Sequence, residues 1–170
     1  MLRKKLHLYQ KNMEQHLWKD EGEVLSIRDS VTLVVGLGDI GSQFAEKMHA
    51  LGSEVIGVRK HKAARPDYIK EVCQQEDLDR LLPKADSVAC CMPGTGETAG
   101  MFDLERMKKM KPGAILINVG RGSLIPGEAL KKMLVEGHLG GAILDVTEEE
   151  PLPADSPLWD LPNLLITPHV

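Results

Sequence analysis

The residues Gly36-Leu37-Gly38-Asp39-Ile40-Gly41 follow directly on the apolar, β-branched run Val31–Val35, and their spacing suits a backbone that must receive a phosphate. Gly36 permits a tight turn out of a strand. Gly38 has no side chain to hold a pyrophosphate away from the main chain, and Gly41 lets a following helix pack closely on the strand. That helix is written in the recurrence of Ile40, Phe44, Ala45, Met48 and Leu51. Its first turn offers unpaired N–H groups and a partial positive charge to an anion. A bare G-x-G-x-x-G also occurs in ordinary glycine-rich turns; between a strand and a helix it points to dinucleotide binding.

Such a turn must be carried by a sheet, and the rest of the chain supplies one. Apolar runs at Glu54–Val58, around Val72, and at Ser87–Met92, Ala114–Val119, Leu139–Val146 and Leu164–Thr167 read as further strands. Between them lie helical stretches: Glu76–Leu82, closed by Pro83; a helix N-capped by Asp103 with Leu104, Met107 and Met110 inward; and Glu128–Glu136 with Leu130, Met133 and Leu134 inward. Apolar strands without polar alternation, separated by helices, predict a doubly wound parallel α/β sheet of about seven strands with helices on both faces. In such a sheet ligands lie beyond the carboxyl ends of the strands, so the loops at Gly36, Arg59, Met92, Gly120, Val146 and Thr167 should face one crevice. Ahead of the first strand, Leu2, Leu6, Tyr9, Met13 and Leu17 form one stripe, which predicts a helix of about four turns. Residues 1–20 are therefore assigned to a linking or dimerisation helix and residues 21–170 to a dinucleotide-binding domain. An apolar stripe with no sheet of its own to pack on predicts a homodimer.

Composition narrows the partners. The chain has 170 residues, 42% hydrophobic and 27% charged, enough for one well-buried domain. Its net charge of −4 and pI of about 5.9 leave no basic face for nucleic acid. Arg3-Lys4-Lys5 reads as the solvated side of a helix. No apolar run is long enough to span a membrane, and MLRKKLHLYQ lacks the apolar segment of a signal peptide. The three cysteines show neither disulfide nor metal-ligand spacing; Cys90 and Cys91 read as small buried hydrophobes. A cytoplasmic location is the expectation, with no metal, nucleic-acid or membrane partner.

The blocks GLGDIG, PGTGETAG, INVGRGSLI, AILDVTEEEPLPADSPLW and PNLLITPHV, in this order and spacing, resemble the D-isomer-specific 2-hydroxyacid dehydrogenases, whose members include glyoxylate and hydroxypyruvate reductases and phosphoglycerate dehydrogenase. The resemblance implies an oxidoreductase that interconverts a small 2-oxo acid and its D-2-hydroxy acid with a nicotinamide cofactor. It places Arg121, Glu150 and His169 at the catalytic positions. These residue types suit the reaction. A guanidinium forks onto a substrate's carboxylate and neighbouring carbonyl. A protonated imidazole supplies the proton as hydride reaches the carbonyl carbon. A carboxylate beside an imidazole favours its charged form and fixes the ring.

The resemblance also implies cofactor contacts. Gly36, Gly38 and Gly41 form the turn, and Asp39 and Ile40 offer backbone N–H groups to the pyrophosphate. Met92 and Pro93 lie on the adenosine side, with Thr98 near the nicotinamide ribose or phosphates. Val119 and Gly120 approach the nicotinamide, as does Arg121, and Asp145 takes the carboxamide. Some positions depart from the family pattern. Arg59 stands at the end of the second strand, where an acidic residue commonly accepts from the ribose hydroxyls. With Lys60 and Lys62 beside it, this favours NADP(H), while NAD(H) stays open. Thr147 replaces a frequent aromatic residue and Pro126 a frequent acidic helix cap. The family's second, substrate-binding domain is absent from this chain, so the chain is expected to be an isolated cofactor domain, inactive alone. Two other readings remain: a non-catalytic NAD(P)-binding sensor or scaffold of the same fold, and a flavin or S-adenosylmethionine binder, which leaves NVGRG and TPH without a role.

Overall fold

β1, Val31–Val35, lies inside a seven-stranded sheet because its β-branched and leucine side chains can be buried on both faces. Leu33 and Val35 join the larger core cluster, while Val34, between them, joins the smaller one on the other face. The computed structural model describes residues 1–61 and 64–170; Lys62 and Ala63, read above as part of a basic run and a loop, lie outside the described residues. The other strands are β2 (Glu54–Val58), β3 (Glu71–Cys73), β4 (Ser87–Cys90), β5 (Ile115–Asn118), β6 (Gly141–Leu144) and β7 (Leu164–Ile166). Their order is β3-β2-β1-β4-β5-β6-β7, and every neighbouring pair is parallel. The chain runs outward from β1 to β3, then returns to β4 on the other side of β1. The loops after β1 and β4 therefore diverge and leave a crevice at that switch point.

The helices are α1 (Leu6–Glu14), α2 (Asp39–Ala50), α3 (Leu78–Leu81), α4 (Leu104–Lys108) and α5 (Gly127–Val135). Asp103 caps α4 as expected, its carboxylate accepting from the Arg106 N–H at 2.8 Å. Several strands are shorter than their apolar runs. Leu139 and Val146 are buried yet lie outside β6, since burial requires packing rather than a place in the ladder. α2 also sits differently from its apolar pattern: it buries Gly41, Ala45 and Met48, whereas Ile40 is 60% exposed. The turn after β1 is too close for a side chain at 41, where an added Cβ would come within 1.9 Å of the Gly36 carbonyl oxygen.

The N-terminal stripe does not form one helix. Residues Leu2–Lys4 make a short 3-10 turn, Lys5 adopts a left-handed conformation (φ 53°), and only then does α1 begin. Leu2 is buried against β6, where an added Cβ on Gly141 would lie 2.9 Å from its side chain, so the first residue of the stripe does find the sheet. Leu6, Met13 and Leu17 remain exposed. Nor is the basic run simply solvated. Arg3 donates to the Ser26 carbonyl at 3.0 and 2.7 Å, and Lys5 Nζ donates to the Glu21 carbonyl, tying this segment to the stretch before β1.

Candidate cofactor cleft and active site

Among the described residues, the expected site residues line two separate recesses along the carboxyl edge. The first, about 830 Å³, opens between the ends of β1, β2 and β4. It is lined by Gly36 and Gly38, by Arg59 and Lys60 after β2, and by Met92, Pro93 and Thr98 after β4. Gly36, at φ 99°, makes the turn; a Cβ there would meet the Cys91–Met92 backbone at 2.8 Å. At Gly38 an added Cβ would meet nothing within 4 Å. The open space above this N-cap fronts the start of α2, where Asp39 and Ile40 carry the first N–H groups of the helix. The loop opposite is fixed by the buried Thr98: its hydroxyl accepts from the Thr95 N–H at 2.8 Å and donates to the Pro93 carbonyl at 3.0 Å. Arg59 is half-buried, and its Nε is a buried donor with no hydrogen-bond partner among the described residues. An open glycine N-cap and an orphaned guanidinium N–H in one recess fit a phosphate-bearing dinucleotide.

The second recess, about 650 Å³, lies at the ends of β6 and β7 and is lined in part by Asp145, Glu150, Thr167 and His169. His169 Nδ1 pairs with Glu150 Oε2 at 2.7 Å. The other oxygen, Glu150 Oε1, accepts from the Thr147 N–H at 3.0 Å, so both carboxylate oxygens are held. These two bonds, His169's first, keep the Glu150 carboxyl below its ordinary range, with lesser help from the charges of His169 and Arg121. With Nδ1 engaged, Nε2 is the imidazole nitrogen that can exchange a proton. Asp145 Oδ1 accepts from the Thr167 hydroxyl and from the Val170 N–H, and the Thr167 bond is the main cause of its lowered pKa.

Arg121 leaves the end of β5 between the two recesses. Its stem lies against the Pro93–Gly96 loop, 3.0 Å from where a Cβ on Gly94 would stand, and its Nη1 donates to the Gly120 carbonyl at 2.7 Å. Val119 and Gly120 precede it, and a Cβ on Gly120 would meet the Met92 carbonyl oxygen at 2.4 Å. The loops after β4 and β5 are thus in backbone contact. Arg121, Glu150 and His169 come from the ends of three adjacent strands; Glu150 and His169 touch, while Arg121 reaches them only through its charge.

Three positions outside the sequence reading shape this site. Asn118, fully buried at the end of β5, accepts from the Gly120 N–H at 3.1 Å and donates to the Arg121 carbonyl at 2.9 Å, which sets the bend that presents Arg121. Its only sequence signal is a polar residue closing the apolar run ILIN. Gly122 packs so tightly on the β6 loop that a Cβ would fall 1.8 Å from the Thr147 carbonyl oxygen. Glu148 accepts from the Gly127 N–H, so it caps α5 from another loop where Pro126 has no side-chain acceptor.

The profile of the "D-isomer specific 2-hydroxyacid dehydrogenase, NAD binding domain" matches residues 1–170. The chain is 42% identical over 140 residues to glyoxylate/hydroxypyruvate reductase B of Pectobacterium carotovorum subsp. carotovorum (strain PC1), across 81% of this chain and 43% of that protein. A D-isomer specific 2-hydroxyacid dehydrogenase family protein from Aeromonas salmonicida subsp. salmonicida A449 superposes with a TM-score of 0.90 at 41% identity, over 99% of this chain and 54% of the other. A probable 2-hydroxyacid dehydrogenase from Rhizobium etli CFN 42, solved in complex with NADP, HEPES and L(+)-tartaric acid, superposes with a TM-score of 0.92 at 33% identity, again over 99% and 54%. The chain therefore spans about half the length of the proteins it matches. Among the described residues no helix is long and apolar enough to cross a membrane.

Proposed function

Because the chain belongs to the D-isomer specific 2-hydroxyacid dehydrogenase family as its NAD binding domain, we propose that it serves an oxidoreductase interconverting a small 2-oxo acid and its D-2-hydroxy acid. The observation that carries this reading is the His169–Glu150 pair at 2.7 Å, set at the strand ends beside the dinucleotide recess. When bound, the nicotinamide supplies the hydride in reduction and receives it in oxidation. Arg121 forks onto the substrate carboxylate and carbonyl, fixing which face is presented and drawing charge toward the carbonyl oxygen. His169 holds the proton at Nε2 and delivers it to that oxygen, then recovers it in the reverse direction. Glu150, engaged through both oxygens, positions the imidazole and offsets its charge.

Gly36, Gly38 and Gly41 with the N–H groups of Asp39 and Ile40 hold the pyrophosphate. Met92 and Pro93 flank the adenosine, Thr98 braces the loop beside the ribose and phosphates, Val119 and Gly120 border the nicotinamide, and Asp145 accepts from its carboxamide. NADP(H) is favoured over NAD(H). Arg59 has only donors and cannot accept from ribose hydroxyls, whereas its Nε, without a partner among the described residues, and the neighbouring Lys60 suit a 2′-phosphate. A charge-assisted bond of about 1.5–3 kcal/mol corresponds to a preference of about tenfold to a hundredfold. Calorimetric titration with both cofactors should show it, and Arg59→Asp should shift the balance toward NAD(H). Equal affinities in the unaltered chain, or no shift in the variant, remove Arg59 from this role. A homodimer in the cytoplasm, formed through the exposed Leu6, Met13 and Leu17, belongs to the same reading.

The catalytic assignment is tested on the full-length protein with glyoxylate, hydroxypyruvate and longer 2-oxo acids. His169→Gln should lower kcat by about 10²–10⁴-fold, as expected for loss of a general acid. Retention of full turnover by that variant, or none by the unaltered protein on any of these acids, overturns it.

A further inference from the structure

The two walls of the dinucleotide recess are tied together at the rim. Lys60, on the loop after β2, donates from Nζ to Glu97 Oε2 at 2.7 Å, joining residues 37 apart in sequence. Both side chains line the recess, and both are well exposed, at 64% and 75%. Glu97 is carried by a loop whose backbone is fixed next to it: Thr98 is buried, and its hydroxyl accepts from the Thr95 N–H and donates to the Pro93 carbonyl. Lys60 directly follows Arg59, whose buried Nε lacks a partner among the described residues. One cation at this corner thus awaits an acceptor while its neighbour already has one. The Lys60 bond keeps the Glu97 carboxyl below its ordinary range, so Glu97 is charged at neutral pH.

We propose that the Lys60–Glu97 pair is a strap across the adenosine end of the recess, and that Glu97 is a cofactor-specificity residue acting through Lys60. The inference rests on the placement of the 2′-phosphate at Arg59 and Lys60 given above. A dinucleotide without that phosphate leaves the strap closed and binds beneath it. One that carries the phosphate must draw Lys60 away from Glu97, so part of the attraction to Lys60 is spent on breaking an ion pair. Glu97 therefore restrains the preference that Arg59 creates. An exposed pair of this kind is a weak restraint, equivalent to about a two- to fivefold change in affinity.

The test is calorimetric titration of the chain and its variants with NADPH and NADH, with circular dichroism melts to verify folding. Glu97→Gln should bind NADPH about two- to fivefold tighter and leave NADH unchanged. In a Lys60→Met background the same substitution should give no gain. If Glu97→Gln shifts neither cofactor, shifts both alike, or improves NADPH binding without Lys60, the strap is overturned. Arg59→Asp, measured alongside, separates the two ideas. Should it still weaken NADPH binding while Glu97→Gln does nothing, the phosphate placement stands and the strap fails. Should Arg59→Asp have no effect while Glu97→Gln gains through Lys60, the strap stands and Arg59 loses its role.

Discussion

Gly38→Ala separates binding from folding at the centre of the cofactor turn. Gly38 has φ −78° and ψ −163°, a conformation open to alanine, and the added Cβ would meet nothing within 4 Å. Its carbonyl would still accept from the Ser42 N–H at 2.8 Å. Stability should therefore stay within about 0.5 kcal/mol of the original, or rise slightly as the unfolded chain loses freedom. The methyl group would instead stand in the space above the first turn of α2, where a pyrophosphate must approach the N–H groups of Asp39 and Ile40. Loss of one charge-assisted hydrogen bond there is worth about 1.5–3 kcal/mol, or about ten- to a hundredfold in Kd for either cofactor. Gly41→Ala is the contrasting case. Its Cβ would lie 1.9 Å from the Gly36 carbonyl oxygen, so α2 and the turn before it must move apart at a cost of about 1–3 kcal/mol or more. Thermal melts and calorimetric titrations of both variants read the two effects apart. Unchanged affinity of Gly38→Ala for NADPH and NADH would show that the pyrophosphate does not sit at this turn. A melting temperature lowered as far as that of Gly41→Ala would show that the space above Gly38 is not open.

The Glu150 carboxyl, bound first by His169 and then by the Thr147 N–H, should titrate below its ordinary value of 4.5. A depressed carboxyl binds fewer protons folded than unfolded, so its stabilising contribution is complete above pH 4.5 and is lost as pH falls through the folded value. Carbon NMR of the Glu150 carboxyl should show this and should show a return toward 4.5 in His169→Ala; an unmoved titration would mean the pair does not persist in solution. Sedimentation at high concentration should reveal dimers that Met13→Glu with Leu17→Glu abolishes, and a monomer at every concentration would count against an interface along α1 and the residues just after it. The 170-residue chain by itself should not turn over 2-oxo acids at an appreciable rate, because His169 and Glu150 remain 52% and 38% exposed and the reaction needs substrate held away from water. Robust turnover by the purified chain would refute that.

Where the sequence alone decided the structure, the cause is local. Val31–Val35 can be buried on both faces, the Gly36 turn needs a positive φ that a Cβ would disfavour, and Asp103 reaches an N–H within its own helical turn. Such constraints operate over a few residues and are written in residue type and spacing. The blocks that carry Arg121, Glu150 and His169 stood out through their resemblance to a family, not through any local constraint of this kind. Tertiary structure decided what the loops do on meeting. The outward turn of Ile40 follows from how closely α2 approaches the sheet, and the break at Lys5 accompanies the seating of Leu2 on β6. The acceptor that Pro126 lacks comes from Glu148, 21 residues beyond Gly127, and Lys60 meets Glu97 from a loop two strands away in the sheet. Parallel pairing of β6 with β7 brings His169 onto Glu150 across 19 residues. No periodicity encodes these meetings, because the strand order that brings distant loops to one edge is set by packing of the whole sheet, and the side chains there find partners only once it has formed.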